Sequence, residues 1–199
     1  MLWIAFASLL VGVAGGCLVF PPEAVALMDG LAPMALKLLI FAVGIQIGAD
    51  GEVWGKIKEQ GLRILLVPGG VIVGSILSGI LAGMLMGVER NISAAISSGM
   101  GWYSISGALL KEPAGAQVAT TAFLTNIFRE VLSIAVIPFV ARFMGNSAAI
   151  APAGATAMDT TLPIITSCTD DSTAVAAVIT GLLCSSAVPL LVPLMFNLL

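Results

Sequence analysis

Leu2 to Phe20 is a run of 19 residues without a charge. A helix rises about 1.5 Å per residue and the hydrocarbon core of a bilayer is about 30 Å thick, so a run of this length is one membrane crossing. Four further stretches, 31–48, 64–87, 115–140 and 173–198, are long and apolar enough for the same role. With no water to satisfy backbone N–H and C=O groups, such segments are helices. Of the 199 residues, 59% are apolar and 10% charged, against about 45–50% and about 25% in an ordinary soluble domain. The expected fold is an all-α integral membrane protein, with residues 1–199 forming a single transmembrane domain and no room for a separate soluble one.

No basic residue precedes the first run, so it reads as an uncleaved helix, ended by Pro21-Pro22. The polar stretch from Asp50 to Arg63 holds Lys56, Lys58 and Arg63 and belongs on the cytoplasmic side. The loop 21–30 carries Glu23 and Asp29 with no basic residue and suits the outside. The expected location is therefore the cytoplasmic membrane, multi-pass, N-terminus inside and C-terminus outside. A net charge of −3 argues against nucleic acid as a partner. The absence of histidine excludes an imidazole relay or a histidine-ligated metal. Cys17, Cys168 and Cys184 lack metal-ligand spacing and read as packing residues. Lys37 lies within the second span, where it needs either a carboxylate partner or a position near the helix end.

Gly79, Gly83 and Gly87 repeat every fourth residue and put small residues on one helix face. This face serves either packing inside the chain or a homodimer seam.

Two segments do not read as simple spans. Residues 91–113 begin with Asn91-Ile-Ser-Ala-Ala-Ile-Ser-Ser-Gly-Met-Gly-Trp-Tyr-Ser104, rich in serine and glycine. Residues 147–171 are interrupted by Pro152, Gly154 and Pro163, with Asp159 near the centre. Irregular backbone at membrane depth must be buried in protein or line a wet cavity. Each segment is followed by a turn and a small-residue helix, which suggests a weak internal repeat. Paired broken segments point to a transporter site. The expected architecture is a helical transporter bundle with two broken or re-entrant hairpins forming an inverted repeat. Five full spans result if both segments re-enter, seven if both cross.

Arg129 and Glu130 lie near the middle of the fourth long stretch, where a charge costs about 2.5–3.5 kcal/mol on insertion scales. Neighbouring helix positions point about 100° apart, so the two cannot face one point. Asn126, Glu130 and Ser133 share one face; Thr125 and Arg129 share the next. Glu130 reads either as a cation or proton site on a translocation path or as part of a structural polar network, and Arg129 as an anchor. Asp159, with Thr160 and Thr161, is a second candidate; it reads also as a helix cap. Pro163 withholds an N–H and frees a carbonyl one turn earlier. Asp170 and Asp171 stand where helix caps stand. Trp102 and Tyr103 read as interface anchors or as a platform for an ammonium group.

Gly99-Met-Gly-Trp-Tyr-Ser104, Thr125-Asn-Ile-Phe-Arg-Glu130 with Val131-Leu-Ser133, and Gly154-Ala-Thr-Ala-Met-Asp-Thr-Thr-Leu-Pro163 together resemble the signatures of the LysO-type lysine exporter family of prokaryotes. The resemblance covers the whole chain. It implies export of L-lysine and its analogues across the cytoplasmic membrane, in exchange for protons, and an essential intramembrane glutamate that falls on Glu130. Longer members of that family carry an extra N-terminal membrane segment with another essential acid, so the resemblance implies either a small membrane subunit as partner that supplies it or a protein that works without it. The expected substrate and proton site comprises Glu130, Asp159, Asn126, Arg129, Thr160, Trp102, Tyr103 and Ser104, with no cofactor and a proton, or else sodium, as coupling ion. Two rivals stand beside this: a sodium-coupled carrier of organic anions or neutral solutes, and a non-transporting subunit of a partner complex. No nucleophile–base pair or metal cluster marks an enzyme.

Overall fold

A computed structural model describes residues 65–199 and a few scattered positions between 11 and 45. The chain divides into two compact units, Met1–Val43 and Gly44–Leu199. In the first, the described residues Val11, Ala14, Gly15, Leu31, Met34, Leu38 and Phe41 are helical. The spans expected at 2–20 and 31–48, and with them Lys37, the loop 21–30 and the basic stretch 50–63, lie otherwise outside the described residues. All the elements named below belong to the second unit.

Every regular element among the described residues is helical. Helix α1 spans Leu66–Met86 and ends at Gly87, whose φ of 71° lets the chain turn out of the helix. Its 21 residues give about 31 Å, close to the thickness of a hydrocarbon core. Helix α2, Arg90–Ser97, has only 8 residues. After a break at Ser98–Trp102 comes α3, Tyr103–Met144. At 42 residues α3 is too long for one crossing, and it is interrupted at Gly115, where φ is 85° and ψ 168°, two residues after Pro113. This divides an arm, 103–114, from a long span, 116–144. Two 3₁₀ turns follow, Ser147–Ile150 and Gly154–Met158, then the short helix α4, Leu162–Cys168. Helix α5, Asp171–Leu198, closes the chain.

Among the described residues three helices, α1, α3 and α5, are long and apolar enough to cross a membrane. They agree with the stretches expected at 64–87, 115–140 and 173–198. Leu77, Leu81, Leu85, Phe128, Leu132, Phe139, Phe143 and Leu190 are exposed on them, a distribution suited to contact with lipid. Segments 91–113 and 147–171 are both broken helices. Their breaks are buried: Ser98, Met100, Ala153, Ala155 and Ala157 are almost fully enclosed. Helix α5 packs against α2, α3 and the second 3₁₀ turn. Ile137, Ala149, Ile150, Ala153, Ala157, Ile165 and Ala177 join α3, the 3₁₀ turns, α4 and α5 in one core cluster.

The small-residue face of α1 resolves in favour of packing within the chain. A Cβ on Gly79 would collide with the Ser97 side chain, and one on Gly83 with Ser93. α1 and α2 approach closely only because these positions lack side chains. Because α2 occupies this face, the alternative of a homodimer seam through Gly79 and Gly83 is corrected. Pro163 also differs from expectation. It stands in the first turn of α4, where its missing N–H would be unpaired anyway. The carbonyl one turn earlier, that of Asp159, is not freed: it accepts from the Leu162 N–H at 3.3 Å.

Candidate functional site

The middle of α3 builds the site. Its buried residues Ala119, Ala122, Asn126, Glu130, Ser133 and Ile137 recur every three or four positions and form one stripe. Asn126 is 1% exposed, Glu130 2% and Ser133 2%. Thr125 and Arg129, on the neighbouring face, open onto a cleft beside α1.

Asn126 holds the first break. Its Oδ1 accepts from the Gly101 N–H at 2.7 Å. Its Nδ2 donates to the carbonyls of Ile96 at 3.1 Å and Ala122 at 2.9 Å, and lies 3.2 Å from the Ser106 hydroxyl. A Cβ at Gly99 would sit 2.5 Å from Nδ2, so this approach requires glycine.

Arg129 and Ser133 hold the second break. Arg129 Nε donates to the Pro152 carbonyl at 3.2 Å, Nη2 to the Ala151 carbonyl at 3.3 Å and Nη1 to the Ser75 hydroxyl of α1 at 2.8 Å. The Ser133 hydroxyl lies 2.7 Å from both the Arg129 and the Pro152 carbonyls. Gly154, at φ 61°, leaves room here: a Cβ would come within 2.5 Å of the Met100 carbonyl and 3.0 Å of Arg129 Nη2. The two breaks also bond to each other, through the Ala155 N–H and the Met100 carbonyl at 2.9 Å. Met100 is fully buried with a φ of 46°, an uncommon conformation for a residue with a side chain.

Glu130 sits between these ties. Its Oε2 is buried with no hydrogen-bond partner among the described residues. The Thr160 hydroxyl donates to Asp159 Oδ1 at 3.3 Å, and Thr160 and Asp159 are both close enough to act on the Glu130 carboxyl group electrostatically. Tyr103 feels both acids. Its ring meets Phe123 edge-on, centroids 5.4 Å apart. Asp159 is exposed, and its Oδ1 accepts from the Thr160 N–H at 2.5 Å. It does not cap α4, whose N-cap residue is Thr161.

Glu130, Asp159, Thr160 and Tyr103 are thus within electrostatic reach of one another. Asn126 and Arg129 serve as ties on the two breaks. Trp102 is half-buried, its main-chain N–H donating to the Gly99 carbonyl at 2.7 Å. Ser104 is exposed and its hydroxyl makes no hydrogen bond among the described residues. Residue patterns missed Thr180, whose buried hydroxyl also lacks a partner among the described residues; a threonine in an apolar helix gives no signal of this. They also missed the main-chain role of Met100, Ala151, Pro152 and Ala155, since no side chain announces it.

Outside the spans, Asp170 caps α5. Its Oδ1 accepts from the Ser172 hydroxyl at 2.7 Å and from the Thr173 hydroxyl and N–H at 2.8 Å, and its Oδ2 from Asn146 at 2.8 Å. The Ser172 and Thr173 hydroxyls, then the Thr173 N–H and Asn146, hold its carboxyl well below the usual carboxylate range. Among the described residues no group of three or more Cys, Asp or Glu side chains is placed to hold a metal.

The family described as "Lysine exporter LysO" matches residues 6–196. The chain is 35% identical over 159 residues to "Lysine exporter LysO" of Escherichia coli (strain K12), covering 79% of this chain and 52% of that protein. It is 36% identical over 136 residues to a Haemophilus influenzae protein named "Putative lysine exporter", covering 65% of this chain and 66% of that protein. The match thus spans about half to two-thirds of the length of these relatives. No solved structure matches the chain. With the family match running almost from end to end, the chain belongs to the LysO lysine exporter family.

Proposed function

We propose that this chain exports L-lysine and related cationic amino acids across the cytoplasmic membrane, with inward proton movement as the driving force. The observation that carries the reading is Glu130: a buried carboxyl group, midway along a membrane-length helix, with one oxygen lacking a partner. A carboxyl group in such a place needs a proton or a cation. No basic side chain donates to it among the described residues. An ammonium group and a proton are therefore alternative occupants.

A membrane potential that is negative inside opposes cation export by about 2.3 kcal/mol per charge per 100 mV. A coupling ion must enter as lysine leaves. Glu130 would take the proton when lysine departs and release it on the other side. Tyr103 and Thr160 would orient the ammonium group, and Asp159, at the exposed edge, would attract it. The two broken segments would act as opposed hairpins around α3, the inverted arrangement of alternating access. The N-terminus would lie inside and the C-terminus outside. The family match and its relatives' names support the substrate; the paired buried breaks support the architecture.

The test is efflux from proteoliposomes loaded with labelled lysine, with a pH gradient and without sodium. Wild type is expected to show pH-dependent efflux, and Glu130→Gln, folded as judged by gel filtration, is expected to lose it. Wild-type-like, pH-dependent efflux from that variant would refute the role. Strict sodium dependence would replace the proton as coupling ion.

A further inference from the structure

Beside Arg129 lies a cleft of about 670 Å³, a size that suits a small molecule. α1 contributes Gly70, Gly74 and Ser75 to its wall, α3 contributes Thr125, Arg129 and, on the side open to lipid, Phe128 and Leu132, and Ala151 and Pro152 complete it. The polar side chains of this wall can all donate hydrogen bonds, and the Ala151 and Pro152 carbonyls are taken by Arg129. A guanidinium has five N–H bonds. Three of Arg129's are spent on Ser75, Pro152 and Ala151, leaving two. Ser75 receives one of the three, so its own hydroxyl proton remains to be given. The Thr125 hydroxyl has no partner among the described residues. Among the described residues no acidic side chain lines the cleft.

A guanidinium at this depth is costly without an opposite charge. Its three partners are a hydroxyl and two carbonyls, which satisfy hydrogen bonds but bring no negative charge among the described residues. A planar fork with spare N–H groups fits a carboxylate two-pronged. Gly70 and Gly74 have nothing within 4 Å of where a Cβ would stand, so the α1 wall leaves space in front of it.

The geometry points to this cleft as the place that takes the α-carboxylate of the exported amino acid. The inference rests on the lysine-export reading. Glu130 and Arg129 then take one ammonium group and the carboxylate of the substrate on adjacent faces of one helix.

The test is direct binding of labelled L-lysine to the purified full chain in detergent, competed by L-lysine and by L-lysinamide, which lacks the carboxylate. Wild type is expected to favour lysine by about tenfold or more, the scale of a lost charge-assisted hydrogen bond. Arg129→Gln is expected to bring the preference close to one. Arg129 also ties a break, so that variant can fail to fold. Thr125→Val, isosteric and on an exposed hydroxyl, is the second variant and is expected to cut the preference several-fold. Equal competition by lysine and lysinamide in wild type would overturn the carboxylate site alone. A preference undiminished in Thr125→Val and in folded Arg129→Gln would do the same. Binding of neither compound would overturn the lysine reading itself.

Discussion

Asn126 engages both ends of its amide with the main chain around it, whereas Glu130, one turn on, leaves an oxygen without a partner among the described residues. The two polar residues of one face thus differ in how fully they are bonded. Their shared face was legible from the i, i+4 spacing. That difference was not, because it depends on where the Gly101 N–H and the Ile96 carbonyl lie in space. Arg129 makes the same point. Its charge at mid-span was plain, but its partners are Ser75, 54 residues away, and two carbonyls that no residue type announces. Asp170 was legible as a cap because helix-start chemistry is local. Its carboxyl group is held below the ordinary carboxylate range, so the ionised form favours the folded state. The stabilisation is fully present above the unfolded-state value, about 3.9, and is lost as pH falls through the lower folded-state value. Thermal denaturation in detergent is therefore expected to show a loss of stability below about pH 4, and Asp170→Asn is expected to flatten that part of the profile.

Among the elements, the two broken segments were visible from serine, glycine and proline content, and they are broken in the structure. Element length was harder to read. Hydropathy suggested a separate span starting near 115, yet the arm 103–114 continues into it through the single interruption at Gly115. A break of one residue between two apolar stretches leaves little trace in hydropathy. The glycine face of α1 offered two uses, and the serines of α2 decide between them. Gly79→Ala is expected to destabilise the fold, because its methyl group meets Ser97. Gly69→Ala, with nothing within 4 Å, is expected to be neutral or to stabilise by up to about 1 kcal/mol, since alanine is the better helix former. Melting midpoints of the two variants should move in opposite directions or differ plainly; equal losses would contradict this account of α1–α2 packing.

At the scale of the whole molecule, α3 ties both breaks, and the breaks tie each other through Ala155 and Met100. The proposed transport cycle, opening one side at a time, would have to loosen some of these ties. Gly101 and Ala155 lie outside regular α-helix, yet both amides are bonded and buried. Hydrogen exchange is expected to be slow in peptides covering 98–102 and 153–157, and to respond together when lysine is added. Exchange that is fast, or that changes in one segment alone, would argue against a coupled movement. None of this coupling was legible beforehand: the motifs suggested two halves of one site, but a bond between two main chains leaves no mark on either.

The shortness of α2 has a consequence for biogenesis. Arg90, Asn91, Ser93 and Ser97 make half of its 8 residues polar, far short of the about 20 apolar residues that a translocon retains as a span. α2 therefore cannot enter the bilayer on its own account. Its place depends on its neighbours: α1 offers Gly79 and Gly83, α5 packs against it, and Asn126, 30 residues downstream of Ile96, takes the Ile96 carbonyl. Among the described residues α1, α3 and α5 have the length and hydropathy to be retained as spans by themselves, whereas α2 has to be held by contacts with them.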